Sequence, residues 1–349
     1  MLRRIVLKIG FFLSILIGLI LVVFFLFQAL PGPEQILSGQ RTDKATTEAI
    51  VKDLGLDKPT WKQALLYVND ISVVSIYPQK EIPIFVKGAF TTVGGYAIGI
   101  KWPYLRMSFQ TKRPVNELLS DAFIGTILLT FAAMFVALII GIPLGVWAAA
   151  RRNTAFDRRV MAFSTLGISV PSFFSALLFS WLFGFVFRKY TGLPMTGSWL
   201  EITNNGAHRV LTPSHLILPA LALGIRPLAV FIQLTRNTMV EILEYDYIQT
   251  AHAKGVSEKK VIWKHAFPNA LNPIITAIGG WFSSLLAGSF FTEYIFQWKG
   301  MGKVSIEALQ QSDFPVVMGA VLLTACLFFA IHQFTERLYV WIDPRLKHE

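Results

Sequence analysis

Few residues in this 349-residue chain have the types and spacing for chemistry, and most fail a closer test. Lys299-Gly300-Met301-Gly302-Lys303-Val304 and Leu37-Ser38-Gly39-Gln40-Arg41 look like loops that hold phosphate with backbone N–H groups at a helix start. The first breaks the G-x-x-x-x-G-K-[ST] pattern, because position 297 is Gln and Val304 follows the lysine. The second lacks a glycine and falls on the outer side of the topology derived below. There is no H-E-x-x-H and no G-x-S-x-G, and His252 and His265 have no metal-ligand company. The single cysteine, Cys326, excludes an internal disulfide or a cysteine metal cluster. Two features survive: Arg226, set in an apolar run, and the charged stretch 244–269.

Both features are carried by membrane helices. Hydrophobic residues are 54% of the chain and charged residues 15%, outside the range of an ordinary soluble domain. A span needs roughly 20 apolar residues. Runs of that kind predict an all-α polytopic protein with six transmembrane helices at about 9–30, 122–150, 160–187, 216–235, 270–292 and 314–340. The first run has the basic start of a signal peptide but no A-x-A-like cleavage site, and is expected to stay as an anchor.

Cations set the orientation, because short loops rich in Lys and Arg stay in the cytoplasm. Arg3, Arg4 and Lys8 precede the first run; Arg151, Arg152, Arg158 and Arg159 lie in the second loop; Lys254, Lys259, Lys260 and Lys264 lie in the fourth. Both termini are therefore expected in the cytoplasm. The net charge of +11 follows from this topology and from contact with anionic lipid, and no nucleic-acid partner is implied.

The stretch 244–269 then becomes a cytoplasmic loop, and it reads as two short helices joined by a glycine. The first, about 245–254, ends with Lys254 in its last turn and Gly255 beyond, where a left-handed cap suits a residue without Cβ. Ser257 is placed to cap the second helix, with Glu258 in its first turn. Pro268 is expected to close it, and Asn272-Pro273 to open the next membrane helix. Thr250, Ala251 and Ala253 make one side of the first helix smooth enough for another protein to approach.

Here the chain resembles the permease subunits of ATP-binding-cassette importers, in particular the B-type subunit of the oligopeptide, dipeptide and nickel systems. That family's cytoplasmic motif has the form E-A-A, three residues, G, nine residues, I-x-L-P. This chain has Gln249-Thr250-Ala251, three residues, Gly255, nine residues, then His265-Ala266-Phe267-Pro268. The second alanine, the glycine and the proline are in register, while the glutamate and first alanine are replaced. The resemblance implies that Gln249, Thr250, Ala251, Ala253, Lys254, Gly255 and Pro268 belong to a coupling helix that sits in a groove of an ATPase subunit. The loop 151–159, with Arg151, Arg152 and Asp157, resembles the family's minor coupling element; a merely basic turn at the membrane surface is the alternative. Further family-like words are LGLDKP (54–59), RPVNEL (113–118), GISVPSF (167–173), TEYIFQWKGMG (292–302), DFPVV (313–317) and LYVWIDPR (338–345).

The resemblance divides the chain into an anchor (1–30), an external loop (31–117) with an atypical insertion at about 76–103, a five-helix core (118–341) and a tail (342–349). In the loop, 47–54 and 61–70 look helical, and 82–86 and 91–100 strand-like. Gly141 and Gly145 offer a close-packing surface. Pro171 is placed to kink the third span and free carbonyls toward a water-lined path. Arg226 costs about 2.5–3.5 kcal/mol at the middle of a span. It either attracts a substrate carboxylate, or satisfies itself on carbonyls freed by Pro227 or snorkels along a neighbour.

By resemblance the fold is that of a type I importer permease in a bacterial inner membrane. Its partners would be a second, C-type permease, two ATP-binding subunits that use the ATP, and an external substrate-binding protein; this chain would bind no cofactor. A self-sufficient ion-coupled carrier or channel is the competing reading. It would need acidic or histidine groups at membrane depth, whereas Asp121, Glu293, His332 and Glu336 all fall near span ends.

Overall fold

The computed structural model describes residues 2–28, 58–78, 86, 88–202 and 209–342. The predicted helix at 47–54, the strand at 82–86 apart from Val86, the loop 37–41 and the end of the 338–345 word lie outside the described residues. In chain order the elements are helix α1 (Leu2–Gln28), helix α2 (Thr60–Ile71), strands β1 (Val74–Pro78), β2 (Gly88–Val93) and β3 (Tyr96–Lys101), and helix α3 (Val115–Ala150). Then come α4 (Ala155–Ser169), α5 (Ser172–Val186, whose second half is a π-helix), and strands β4 (Leu200–Ile202) and β5 (Arg209–Leu211). The long helix α6 (Ser214–Leu243), α7 (Asp246–Ala253), α8 (Glu258–Ile295), α9 (Met301–Gln310) and α10 (Phe314–Ile342) complete the chain.

Among the described residues α3, α6, α8 and Phe314–Thr335 of α10 are long and apolar enough to cross a membrane, and α4 with α5 makes a fifth span if that bent pair counts as one. The apolar part described in α1 is Gly10–Val22, shorter than a full span. The expectation of an all-α chain is corrected by two small antiparallel sheets, one ordered β1-β3-β2 and one pairing β4 with β5. The stretch 91–100, read as a single strand, is a hairpin. Gly94 and Gly95 both have positive φ, 59° and 84°, as a tight two-residue turn requires, and Val93 faces Tyr96 across it.

The chain forms two compact units. The first comprises residues 1–121 and 304–326. Within it Ile20 and Phe24 of α1, Tyr67 of α2, and Met318 and Leu322 of α10 are buried together. Asp70 is its polar centre: Tyr77 donates its hydroxyl to Oδ1 at 3.0 Å, Arg106 donates Nε to Oδ2 at 2.9 Å, and Lys101 Nζ donates to the backbone carbonyl. Burial, with the nearby Asp70 charge, pushes the Tyr77 phenol above its usual range. Asp313 caps the approach to α10, accepting from Phe109 N at 2.9 Å, Gln110 N at 3.3 Å and the Ser108 hydroxyl.

The second unit comprises residues 122–303 and 327–349. Its core joins α3, α6 and α8 through Leu129, Ala133, Ala137, Leu223, Phe231, Ile274 and Leu285. The predicted glycine surface is used: a Cβ on Gly145 would lie 2.7 Å from Thr235 Cβ and 2.8 Å from the Ile232 carbonyl. Gly224 returns the favour, since its Cβ would lie 2.7 Å from the Ala133 carbonyl oxygen. The third span is broken rather than kinked. Val170 precedes Pro171 and is driven to extended backbone (φ −77°, ψ 127°), so α4 stops at Ser169 and α5 restarts at Ser172, bent by 107°.

The glycine contacts yield a paired prediction. Gly224→Ala forces a methyl against backbone and is expected to destabilise by about 1–3 kcal/mol. Gly288→Ala in α8, where nothing lies within 4 Å, is expected to be neutral or stabilising. Melting of the two variants in detergent separates them.

Candidate functional site

The loop after α6 has the two-helix form read from the sequence, and its glycine turn is fully specified. Gly255 sits at φ +74°, Val256 N donates to the Ala251 carbonyl at 3.2 Å, and Gly255 N donates to the His252 carbonyl at 2.9 Å. This pair of bonds is the Schellman arrangement, with Val256 packed beside Ala251 as its apolar contact. Tyr245 starts α7 with extended backbone, and Asp246 lies in its first turn, where a negative charge is favourable.

One side of α7 is buried. Ile248 and Ala251 pack with Val146 and Ala149 at the end of α3, Met239 and Ile242 at the end of α6, and Val261, Ala266 and Ala270 of α8. Ala251 therefore faces the chain's own core, although its small size suggested an open surface. Gln249, Thr250, His252, Ala253, Lys254 and Gly255 remain exposed and form the outer side. Gln249 and Thr250 are held in place: Gln249 Nε2 donates to the Glu244 carbonyl at 3.3 Å, and Thr250 Oγ1 to the Asp246 carbonyl at 2.9 Å. No side chain crowds Gly255, since a Cβ there would have nothing within 4 Å.

Pro268 does not close the second helix. A π-helical segment, Val261–Ala266, runs directly into Phe267–Ile295, with Pro268 in the first turn of that segment and Pro273 inside it. Proline lacks the N–H of a regular helix and clashes one turn back. The wider π turn just before it absorbs that mismatch, so α8 continues and Asn272 caps nothing. Ser257 marks the N-cap position, but its side chain makes no capping bond.

The minor loop is tied to this one by two ion pairs. Arg236, near the C-terminal end of α6, grips Asp157 with both arms, Nη2–Oδ2 at 2.8 Å and Nε–Oδ1 at 3.1 Å. Asp157 is 3% exposed and also accepts from Asn153 N at 2.9 Å, while its own N–H donates to Thr154 Oγ1 at 3.3 Å, so it completes the cap of α4. Arg152 pairs with Glu244 at the head of the 244–269 loop. Arg151 stacks over the Phe156 ring, 5.5 Å from its centroid. Of these partners the sequence reading missed Arg236 and Glu244, which lie about 80–90 positions away; no local spacing connects them.

Two further residues sit apart from the loop. Pro171 is exposed at the break between α4 and α5, and Arg226 is exposed in mid-helix. Glu293, read only as a group near a span end, is wholly buried and clamps the turn that follows. It accepts from Gly302 N at 2.6 Å and Lys303 N at 3.3 Å, while Trp298 Nε1 donates to the Gly125 carbonyl at 2.8 Å.

The Asp157–Arg236 pair gives a second prediction. Arg236→Ala strands a buried carboxylate and should cost about 3–5 kcal/mol. Arg152→Ala breaks a pair whose side chains are 47% and 61% exposed and should cost about 1 kcal/mol or less. Thermal melting in detergent distinguishes them; equal losses would contradict the burial argument.

Comparison with known proteins agrees with this architecture. Residues 141–348 match the family model "Binding-protein-dependent transport system inner membrane component", and residues 1–130 match the N-terminal model of such membrane components. The dipeptide transport system permease protein DppB of Escherichia coli (strain K12) is 33% identical over 100% of both chains. The glutathione transport system permease protein GsiC of Pectobacterium atrosepticum is 32% identical over 97% of this chain and 99% of its own. Among solved structures, a chain of the MetNI methionine ABC transporter in inward-facing conformations superposes with a TM-score of 0.54 and 18% identity, covering 65% of this chain and 97% of that one.

Proposed function

The chain belongs to the family of binding-protein-dependent transport system inner-membrane components, and from that premise we propose that it imports dipeptides or short oligopeptides as one of two unlike permease subunits. The other partners are two ATP-binding subunits and an external substrate-binding protein. ATP is used by the partner subunits, and this chain holds no cofactor. It sits in a bacterial inner membrane with both termini in the cytoplasm, an orientation supported by the cations of the 151–159 and 244–269 loops.

The observation that carries the coupling role is the two-sided character of α7. Its inner side is locked into the cluster around Ile248, and its outer side presents Gln249, Thr250, Ala253, Lys254 and Gly255 on a short, capped rod. A motor subunit gripping that outer side would move α3, α6 and α8 with it, because the same cluster contains residues of all three. Alternating access then follows from rigid-body displacement of the spans. The minor loop shares the load through Arg152 and Asp157.

The self-sufficient carrier is the weaker alternative. Asp157 and Glu293, acidic groups of the second unit's spans, are taken up by Arg236 and by backbone N–H groups, respectively.

Gly255→Asp tests the docking role. The positive φ at this position penalises a side chain by roughly 1–2 kcal/mol, and the carboxylate would project into the docking face. The expected outcome is normal insertion and assembly, uptake of dialanine reduced at least about tenfold, and ATPase activity no longer stimulated by substrate. Unchanged uptake in cells would refute the docking role.

A further inference from the structure

One side of the C-terminal half of α6 carries a polar track. Arg226, Gln233 and Asn237 are spaced seven and four residues apart, within about 40° of one another on a helical wheel. On the neighbouring helix α4, Thr165 and Ser169 are one turn apart and exposed. Gln233 Nε2 bridges the helices, donating to Ser164 Oγ at 3.2 Å and Thr165 Oγ1 at 3.3 Å. The two helices run antiparallel in a register fixed by Arg236 with Asp157, Gln233 with Ser164, and Ala229 against Gly167. Continuing that ladder brings Arg226 level with Ser169–Pro171, where α4 breaks and turns away.

Arg226 lies 12 residues from the start of α6 and 17 from its end, so about 18 Å and 25 Å of helix separate it from either terminus. Its guanidinium is exposed and has no hydrogen-bond or ion-pair partner among the described residues, whereas Ala222, Leu223, Gly224 and Pro227 around it are buried. The carbonyls near Pro227 do not take it up. A permanently charged group at this depth is costly against hydrocarbon, which favours water, an anion or a polar group of a neighbouring chain as its surroundings. Among the described carboxylates of the second unit, four are engaged elsewhere: Asp157 holds Arg236, Glu244 holds Arg152, Glu241 accepts from Tyr245, and Glu293 is closed into the turn that follows α8.

We infer that Arg226 is a solute-contacting residue of the translocation path, taking the free C-terminal carboxylate of a passing peptide, with Thr165, Ser169 and Gln233 lining the path beside it for peptide amides. This inference rests on the peptide-import reading. The cation supplies bidentate geometry for a carboxylate. No acid lies between Arg226 and Asn237 on α6, and Glu241, one turn further on, accepts from Tyr245, which leaves the negative charge beside Arg226 to come from the solute.

The test uses the complete importer in proteoliposomes, with Arg226→Cys in a Cys326→Ser background, probed by cationic and anionic methanethiosulfonate reagents and by dialanine uptake. Three results are expected together: labelling by both reagents, a loss of uptake of about tenfold corresponding to one charged hydrogen bond, and recovery after cationic but not anionic labelling. Arg226→Lys should retain most uptake. No labelling would place the residue against lipid or a partner subunit and overturn the inference. Labelling with undiminished uptake, or rescue by both reagents or neither, would overturn it as well. If the importer with both Arg226 and Cys326 intact does not carry dialanine, the peptide reading itself fails, while labelling of Arg226→Cys by both reagents still supports a water-lined path at Arg226 and its absence overturns one.

Discussion

The architecture depends on how the ends of α3, α6 and α8 that meet the 244–269 loop are fastened to a single short helix. Val146, Ala149, Met239, Ile242, Val261, Ala266 and Ala270 close around Ile248 and Ala251, and this cluster turns a surface loop into a rigid part of the membrane core. The Asp157–Arg236 pair does the same for α4. Buried apolar contact gives these joints stiffness without direction, while the bidentate ion pair fixes register. Force applied at α7 therefore has somewhere to go.

A long apolar chain faces a second constraint: backbone polar groups at membrane depth need partners. The structure meets it mostly by long helices and departs from it at defined points. Val170-Pro171 breaks one span outright, and the π segment before Pro268 lets another continue through two prolines. The first lies near Arg226 and the second at the base of the 244–269 loop.

Much of this was legible in the sequence, where local rules suffice. Gly255 after Lys254 announced its own left-handed cap, and the glycine pair at 141 and 145 announced a close helix contact, because both effects depend only on a missing Cβ. The reading went astray where the deciding atoms are distant or the helix period is irregular. Ala251 looked like docking surface until Ile242 and Val261 were seen around it. Pro268 looked like a stop, because a π turn leaves no signature in residue spacing. The Gly94-Gly95 turn is a local signal too, but it lies inside a run of alternating apolar residues whose period by itself reads as one strand. Arg236 and Glu244 could be assigned partners only once the helices were packed.

The most direct test of the central claim, that this chain is the docking subunit of a multi-chain ATP-driven importer, is purification of the native protein in mild detergent with identification of every chain that comes with it. The account predicts a second, unlike permease and ATP-binding subunits, retained with wild-type chain and lost when the exposed face of α7 is altered. A chain that purifies alone and transports solute in liposomes without ATP would contradict it.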